Sequence, residues 1–154
     1  MKIAVFPGSF DPFTNAHKDL VDRALSLFDK IYIAIGVNSS KKGLMEFDVR
    51  KQAISALYSG NEKIVVDTFT GLTVDYCQKV NAQFILRGLR NSNDLNFENA
   101  IAQNNLILAP QIETYFLLSR SGTAHISSTI VRDILANGGV VDTLVPSEVL
   151  KFIK

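Results

Sequence analysis

The sequence has no tryptophan and only one cysteine among 154 residues. Cys77 therefore has no partner for an internal disulfide, and its apolar position at helical spacing predicts a reduced, buried thiol. No apolar run approaches the ~20 residues of a membrane span. The N-terminal apolar stretch is too short for a signal peptide and is followed by no cleavage site. We therefore expect a cytoplasmic protein that does not contact a membrane.

An excess of one charge is also absent. The 16 Lys and Arg residues balance 15 Asp and Glu residues, which leaves a formal net charge of +1. Such a balance creates no overall positive potential that would attract a polyanion, so we expect no nucleic-acid partner. Any recognition of phosphate must then come from a few residues at one site. The length suits one hydrophobic core, and we predict a single domain over residues 1–154.

Five short, nearly all apolar segments predict strands that are buried on both faces: residues 3–6, 31–37, 64–68, 84–87 and 114–118. Apolar residues at helical spacing lie between them; in the fourth helical stretch these are Phe97, Ile101, Leu106 and Leu108. A final helix is expected over residues 127–137, before Gly138 and Gly139. This alternation predicts an α/β fold whose mostly parallel sheet carries helices on both faces, with ligands beyond the carboxyl ends of the strands.

The loop after the first predicted strand reads Pro7-Gly8-Ser9-Phe10-Asp11-Pro12, and Thr14-Asn15-Ala16-His17 leads on into a helix. Gly8 can take backbone conformations closed to other residues and lets the main chain approach a ligand. The Ser9 hydroxyl, the His17 imidazole and the N–H groups at the helix start can donate to phosphate oxygens. An ordinary strand-to-helix turn with a capping His17 would explain the Gly-Ser turn equally well.

Cationic side chains follow two other predicted strands. Lys41 and Lys42 lie in a polar loop after the second strand, where lysines are most often simply solvated. Arg87-Gly88-Leu89-Arg90 ends the fourth strand. A guanidinium fork suits phosphate, although Arg87 and Arg90 can equally pair with carboxylates such as Asp94 or Glu98.

Hydroxyl residues open the final predicted helix. Ser127 suits the N-cap position, and Ser128 and Thr129 follow it. Capping alone accounts for one hydroxyl, whereas three hydroxyls beside free N–H groups indicate an anion site.

These motifs together resemble the bacterial phosphopantetheine adenylyltransferases of the nucleotidylyltransferase superfamily. That resemblance rests on Pro7–Pro12 with His17, on Lys41, on Arg87–Arg90 and on Ile126–Thr129. It implies a Rossmann-like nucleotidyltransferase fold and transfer of AMP from MgATP to 4′-phosphopantetheine, with dephospho-coenzyme A and pyrophosphate as products. It also implies a step of coenzyme A synthesis, coenzyme A or dephospho-coenzyme A as product or feedback ligands, and a homo-oligomer, usually a hexamer. No Cys, His and carboxylate cluster is spaced as a metal site, so Mg²⁺ is expected to be carried by the ATP phosphates.

The resemblance also assigns roles to individual residues. His17, Lys41 and Arg90 are implied to be catalytic. Ser9, Lys41, Thr73 and Arg87 are implied to bind the acceptor substrate. The implied ATP-binding residues are Gly8, Ser9, Phe10, His17, Gly88, Leu89, Arg90, Glu98, Thr123, Ala124, His125, Ile126, Ser127, Ser128 and Thr129.

One departure from the family pattern keeps other functions open. Ala16 stands where the family has glycine, and its methyl group is expected to crowd the nucleotide. A non-catalytic protein that binds a nucleotide or coenzyme A is therefore one alternative. Another is a sister nucleotidylyltransferase with a different acceptor, such as nicotinate mononucleotide or a small phosphorylated alcohol.

Overall fold

The computed structural model describes residues 1–40 and 42–153 of the chain. Its strands are β1 (Ile3–Gly8), β2 (Lys30–Gly36), β3 (Ile64–Phe69), β4 (Phe84–Leu89) and β5 (Glu113–Leu118). Its helices are α1 (Asn15–Ala24), α2 (Phe47–Leu57), α3 (Thr73–Lys79), α4 (Ser92–Leu108), α5 (Ser128–Ala136) and α6 (Ser147–Leu150). Each predicted strand overlaps an observed one, because continuous β-branched and aromatic runs suit strands that are covered on both faces.

The five strands form one sheet in the order β3-β2-β1-β4-β5, and every neighbouring pair is parallel. The chain builds outward from β1 to β3 and then crosses back to place β4 on the other side of β1. The β1–β4 ladder covers only Ala4 with Phe84 and Val5 with Ile85, so it ends well before the carboxyl ends of both strands. Crevices at such a reversal of strand order are the usual ligand sites of open parallel sheets.

Helices cover both faces of the sheet, as expected. One apolar cluster joins Val21 of α1, Ile54 of α2 and Val131 of α5 to the inner strands. The second cluster lies on the opposite face and includes Val74 and Cys77 of α3. Cys77 is a free, buried thiol, which confirms the prediction of its burial.

The four apolar residues of helix α4 that lie at helical spacing are not packed alike, and only Leu106 among them is half-buried. Phe97, Ile101 and Leu108 are 67%, 41% and 56% exposed, whereas the residues that α4 buries are Glu98 and Ala102. The predicted helix is confirmed, but spacing shows which residues share a face and not what that face meets. We call Phe97, Ile101 and Leu108 the α4 stripe.

Within the described part of the chain, no helix has both the length and the apolar character that crossing a membrane requires.

Candidate functional site

A cavity of about 280 Å³ lies at the carboxyl ends of β1 and β4. Four separate segments of the chain line it: the end of β1 with the start of α1, the end of β4 with α4, Ser119 directly after β5, and the start of α5. We call it the cationic cavity, because the guanidinium groups of Arg87 and Arg90 line it. Of the residues predicted to bind ligands, it contains Gly8, Ser9, Phe10, His17, Arg87, Gly88, Arg90, Glu98, Ile126, Ser127 and Ser128.

Gly8 lines the cationic cavity, as expected, but it does not adopt the left-handed backbone conformation that glycine makes possible. Its φ is not positive; the positive φ in this loop belongs to Phe10, at 48°. A Cβ on Gly8 would lie 2.8 Å from the Phe10 ring, which is 2% exposed. Glycine is therefore required for close packing of the ring rather than for a left-handed backbone, and Phe10 takes the strained conformation instead.

The imidazole of His17 is held in one tautomer by the start of α1. Thr14 is the N-cap, and its backbone N–H donates to His17 Nδ1 over 2.9 Å. The His17 N–H in turn meets Thr14 Oγ1 at 3.4 Å, which completes a capping box. Because a backbone N–H only donates, Nδ1 must be an acceptor, and the ring proton of the neutral imidazole lies on Nε2.

The surroundings of His17 keep the ring neutral. It packs edge-on against Phe10 with ring centroids 5.1 Å apart, and Phe6 and Phe13 are also adjacent. Burial, with smaller contributions from the charges of Arg87 and Arg90, lowers the pKa of His17 to about 3. His17 thus offers a neutral N–H donor to the cavity at physiological pH.

Arg87 is paired with Glu98 through two charge-assisted hydrogen bonds. Its Nε donates to Glu98 Oε2 over 3.0 Å, and Nη2 donates to Oε1 over 2.6 Å. Its Nη1 donates to the carbonyl of Pro7 over 2.7 Å, which bridges the crevice between β1 and β4. Arg87 thus pairs with a carboxylate, which was the alternative to phosphate binding. The pairing fixes the plane of the guanidinium, and one N–H on each of Nη1 and Nη2 is still free to donate.

Arg90 makes a similar but more exposed pair. Its Nε and backbone N–H donate to Asp94 Oδ2 over 3.1 and 2.9 Å. Burial raises the pKa of Asp94, but the hydrogen bonds and charge of Arg90 outweigh it and hold the pKa below its usual range. Helix α4 therefore aligns both arginines, because their carboxylate partners Asp94 and Glu98 lie one helical turn apart.

The start of α5 supplies hydrogen-bond donors from its backbone. Ser127 is the N-cap, as predicted, and its Oγ accepts from the Ile130 N–H over 3.2 Å. The Ser128 hydroxyl donates to the Pro12 carbonyl over 2.7 Å, which fastens α5 to the loop after β1. The first N–H groups of a helix lack intrahelical partners, so this end of α5 can receive an anion.

A second cavity of about 270 Å³ adjoins the first beneath α4. We call it the apolar cavity, because Phe69, Ile85, Ile101 and Ala102 form much of its wall. It shares Pro7, Gly8, Arg87 and Glu98 with the cationic cavity, and it also contains the predicted Thr73.

Asn105 and Thr114 also line the apolar cavity and were missed by sequence reasoning. Asn105 lies seven residues after Glu98 and therefore shares its helix face, so this spacing is a signal that would have found it. The loop contacts of Arg132, described below, were missed as well; this arginine follows Ser128 by four residues on α5.

Several predicted residues line neither cavity. Leu89 is buried, and Thr123, Ala124 and His125 belong to the turn that precedes α5. Thr129 is exposed, and its Oγ1 accepts from Arg132 Nη2 over 3.2 Å. Lys41 lies outside the described residues.

No group of three or more His, Cys, Asp or Glu side chains in residues 1–40 and 42–153 is arranged to hold a metal ion. The carboxylates that line the cationic cavity, Asp94 and Glu98, are both engaged by arginines.

Comparison with known proteins places this chain in a family of enzymes. Residues 5–134 match the cytidylyltransferase-like family. The chain is 53% identical over 151 residues to a phosphopantetheine adenylyltransferase of Christiangramia forsetii, covering 98% of this chain and 99% of that protein. It is 49% identical to the enzyme of the same name from Flavobacterium psychrophilum, with 97% and 98% of the two chains covered.

The fold is likewise shared with a solved structure. A proposed nicotinate-nucleotide adenylyltransferase from Vibrio parahaemolyticus superposes with a TM-score of 0.72 over 99% of both chains. At 18% identity this similarity establishes the nucleotidyltransferase fold alone.

Proposed function

The chain belongs to the phosphopantetheine adenylyltransferases of the cytidylyltransferase-like family, and we propose that it transfers AMP from MgATP to 4′-phosphopantetheine. The products would be dephospho-coenzyme A and pyrophosphate. The names of the relatives support this acceptor over nicotinate mononucleotide or a phosphorylated alcohol.

The junction of the two cavities at Arg87 carries the proposal. The apolar cavity suits the uncharged arm of phosphopantetheine, and the cationic cavity suits a triphosphate. Arg87 lines both, so its free donors can hold the acceptor phosphate at the boundary with the nucleotide. Two phosphate-bearing substrates would then meet in orientations that favour direct transfer.

The transfer itself needs charge stabilisation more than proton removal. An oxygen of the acceptor phosphate attacks the α-phosphorus of ATP, a new P–O bond forms, and the bond to the β-phosphate oxygen breaks to release pyrophosphate. The nucleophile is already an anion at neutral pH. His17 Nε2–H and Lys41 would stabilise the charge on the α-phosphoryl oxygens.

The leaving group and the rest of the substrates would be held nearby. Arg90 and the start of α5 would hold the β- and γ-phosphates, while Ser9 and Lys41 would assist Arg87 at the acceptor phosphate. Mg²⁺ would enter on the ATP phosphates, and its oxygen ligands would come mainly from ATP and water. Dephospho-coenzyme A and coenzyme A would compete for the same cavities.

The free, buried thiol of Cys77 suits a reducing compartment, and a cytoplasmic location stays a prediction.

A pyrophosphate-release assay with ATP and 4′-phosphopantetheine tests the proposed reaction. We expect release that requires both substrates and that is much weaker with nicotinate mononucleotide as acceptor. Binding of ATP and coenzyme A by calorimetry without any pyrophosphate release would favour the non-catalytic alternative instead.

The effect of Ala16 on ATP is a separate prediction. Ala16 lines the cationic cavity, as expected from the family position. Replacing it with glycine should lower the KM for ATP by ~5-fold or more, because even one extra methyl group in a tight site costs about 1 kcal/mol. The same change should weaken α1 by up to about 1 kcal/mol.

The exposed Ala56 of α2 gives the control, since Ala56→Gly should lower stability without altering KM. An unchanged KM in Ala16→Gly would show that the methyl group does not crowd ATP.

The α4 stripe supports a homo-oligomer. Scattered single apolar side chains are normal on a monomer, whereas the α4 stripe places three large ones on one helix face, with Asn104 between Ile101 and Leu108. A second copy of the chain is the partner we propose, with a hexamer as the assembly implied by resemblance. Charged groups at the centre of such an interface are strongly unfavourable.

Phe97→Glu should therefore shift the protein towards smaller species in light scattering after gel filtration, with at least ~10-fold weaker association. Val140 is 76% exposed but lies away from α4, so Val140→Glu is the matched control. A wild-type protein that is monomeric at micromolar concentration, or equal effects of the two substitutions, would reject the interface.

A further inference from the structure

The carboxylate of Asp11 is buried, and the proposed chemistry does not use it. Asp11 is 4% exposed. Its Oδ2 accepts from the Leu44 N–H over 2.8 Å, and its Oδ1 accepts from the Met45 N–H over 2.9 Å. Its own carbonyl accepts from Arg132 Nη1 over 2.8 Å. The two carboxylate bonds join the loop after β1 to the loop that runs from β2 to α2, and the bond from Arg132 joins it to α5.

Arg50 of α2 closes the same junction from the other side. Its side chain is 4% exposed, and its Nε lies 3.4 Å from Asp11 Oδ1. That Nε donates to the Met45 carbonyl over 2.8 Å, and Nη1 donates to the Ser9 carbonyl over 3.0 Å. Burial lowers the pKa of Arg50, and the charge of Asp11 opposes this effect. An arginine stays charged even so, and here its charge is compensated by Asp11 and two carbonyl groups.

The close approach of Gly43 shows how tightly the two loops are joined. A Cβ on Gly43 would collide with both the Arg50 guanidinium and the Asp11 carboxylate. The φ of Gly43 is not positive, so the requirement is steric. Lys42 directly precedes Gly43 and lines a further cavity with Ser9 and Arg132.

We propose that Asp11 and Arg50 are positioning residues that hold the loop carrying Lys41 and Lys42 against Ser9. This inference rests on the proposed function, in which Lys41 stabilises the transferring phosphoryl group. Residues 38–40 and 42 are polar and exposed. Fixing a lysine in such a loop is entropically costly, and an anchor in the adjacent residues 43–45 supplies the fixed end. Since a misplacement of ~1 Å can cost ~10²-fold in rate, the anchor acts on turnover.

Three substitutions disturb the junction in different ways. Asp11→Asn removes one charge, Arg50→Lys removes the fork that reaches two carbonyls, and Gly43→Ala leaves both charges in place but separates them. We expect each to lower kcat, by up to ~10²-fold, with a smaller change in the KM for ATP. Lys51→Met is the control, because Lys51 is the next residue of α2 and its ion pair with Asp67 is long, at 3.8 Å.

Trypsin cleavage at Lys42–Gly43 measures the anchoring directly. Under native conditions we expect cleavage to be at least ~10-fold faster in Gly43→Ala and Arg50→Lys than in wild type or Lys51→Met, since local opening exposes the bond. If Asp11→Asn fails to fold, these two variants still decide the question. Wild-type kcat together with wild-type cleavage in both would overturn the inference.

A double-mutant cycle separates the inference from the proposed function. If the pair acts through the lysine, Gly43→Ala should reduce kcat much less in a Lys41→Ala background than in wild type. Fully additive effects would overturn the route through Lys41. Normal turnover by Lys41→Ala alone would instead reject the proposed role of that lysine, and the cleavage rates would then still decide whether the pair anchors the loop.

Discussion

His17→Ala should lower kcat by at least ~10²-fold while the fold persists, because removal of one preorganised donor to a developing charge usually costs that much. The donor is defined by the structure: Thr14 occupies Nδ1, so Nε2–H is the group that lines the cationic cavity. The measurement is steady-state pyrophosphate release at saturating ATP and acceptor. Near-normal turnover would remove His17 from the mechanism.

His17→Gln separates this chemical role from helix capping. Glutamine at the third helical position can accept from the Thr14 N–H and preserve the capping box, whereas alanine loses about 1 kcal/mol of capping energy. We expect Gln to retain more thermal stability than Ala but to be almost as inactive. An active His17→Gln would mean that the cap, and not the imidazole donor, sustains turnover.

The pH dependence gives an independent check on His17. Its pKa lies near 3 because the ring is buried and close to Arg87 and Arg90, so the imidazole stays neutral throughout the range from pH 5.5 to 8. Any change of kcat/KM within that range must come from other groups, such as the acceptor phosphate. The profile of His17→Gln should therefore be lower but parallel to that of wild type.

Arg87→Ala should affect both stability and acceptor binding. It leaves Glu98, which is 8% exposed, without the two hydrogen bonds that compensate its charge. We expect the free energy of unfolding to fall by ~3 kcal/mol, as for other pairs broken on one side. The KM for 4′-phosphopantetheine should rise at least ~10-fold, because charge-assisted bonds to phosphate are lost. Urea denaturation and steady-state kinetics measure the two effects.

The double substitution Arg87→Met/Glu98→Gln distinguishes the two roles of this arginine. Removing both charges should restore most of the lost stability, since no buried charge remains unpaired. It should not restore the KM for 4′-phosphopantetheine. Recovery of KM together with stability would mean that Arg87 acts only as a structural partner of Glu98.

Much of the strand pattern was readable from the sequence, for a local reason. Runs such as Ile31–Ile35 are apolar on both alternating faces, and only a covered parallel strand suits such a run. The loops that follow those strands were predicted to meet because parallel strands place their carboxyl ends at one edge. The Ser127 cap was likewise predicted from residue type and position alone.

Other features depended on which surfaces meet across the fold. The spacing of Phe97, Ile101 and Leu108 identifies one helix face, but its exposure follows from how α4 lies over β4 and β5. Similarly, the sequence left open whether Arg87 meets a carboxylate; the structure pairs it with Glu98. The positive φ of this loop lies at Phe10 and not at Gly8, and the Phe10 ring packs closely against Gly8.

Residue type, periodicity and local motifs were thus sufficient for the α/β alternation, the order of the motifs and the family resemblance, because each depends on neighbours within a few positions of the chain. The junction of Asp11, Gly43 and Arg50 brings together residues up to 39 positions apart in the sequence, and no local sequence pattern predicts it. The same holds for the shared wall of the two cavities at Arg87. Such contacts depend on how whole helices and strands pack in three dimensions. Burial and charge compensation across the folded chain determine that packing, so no short stretch of sequence predicts it.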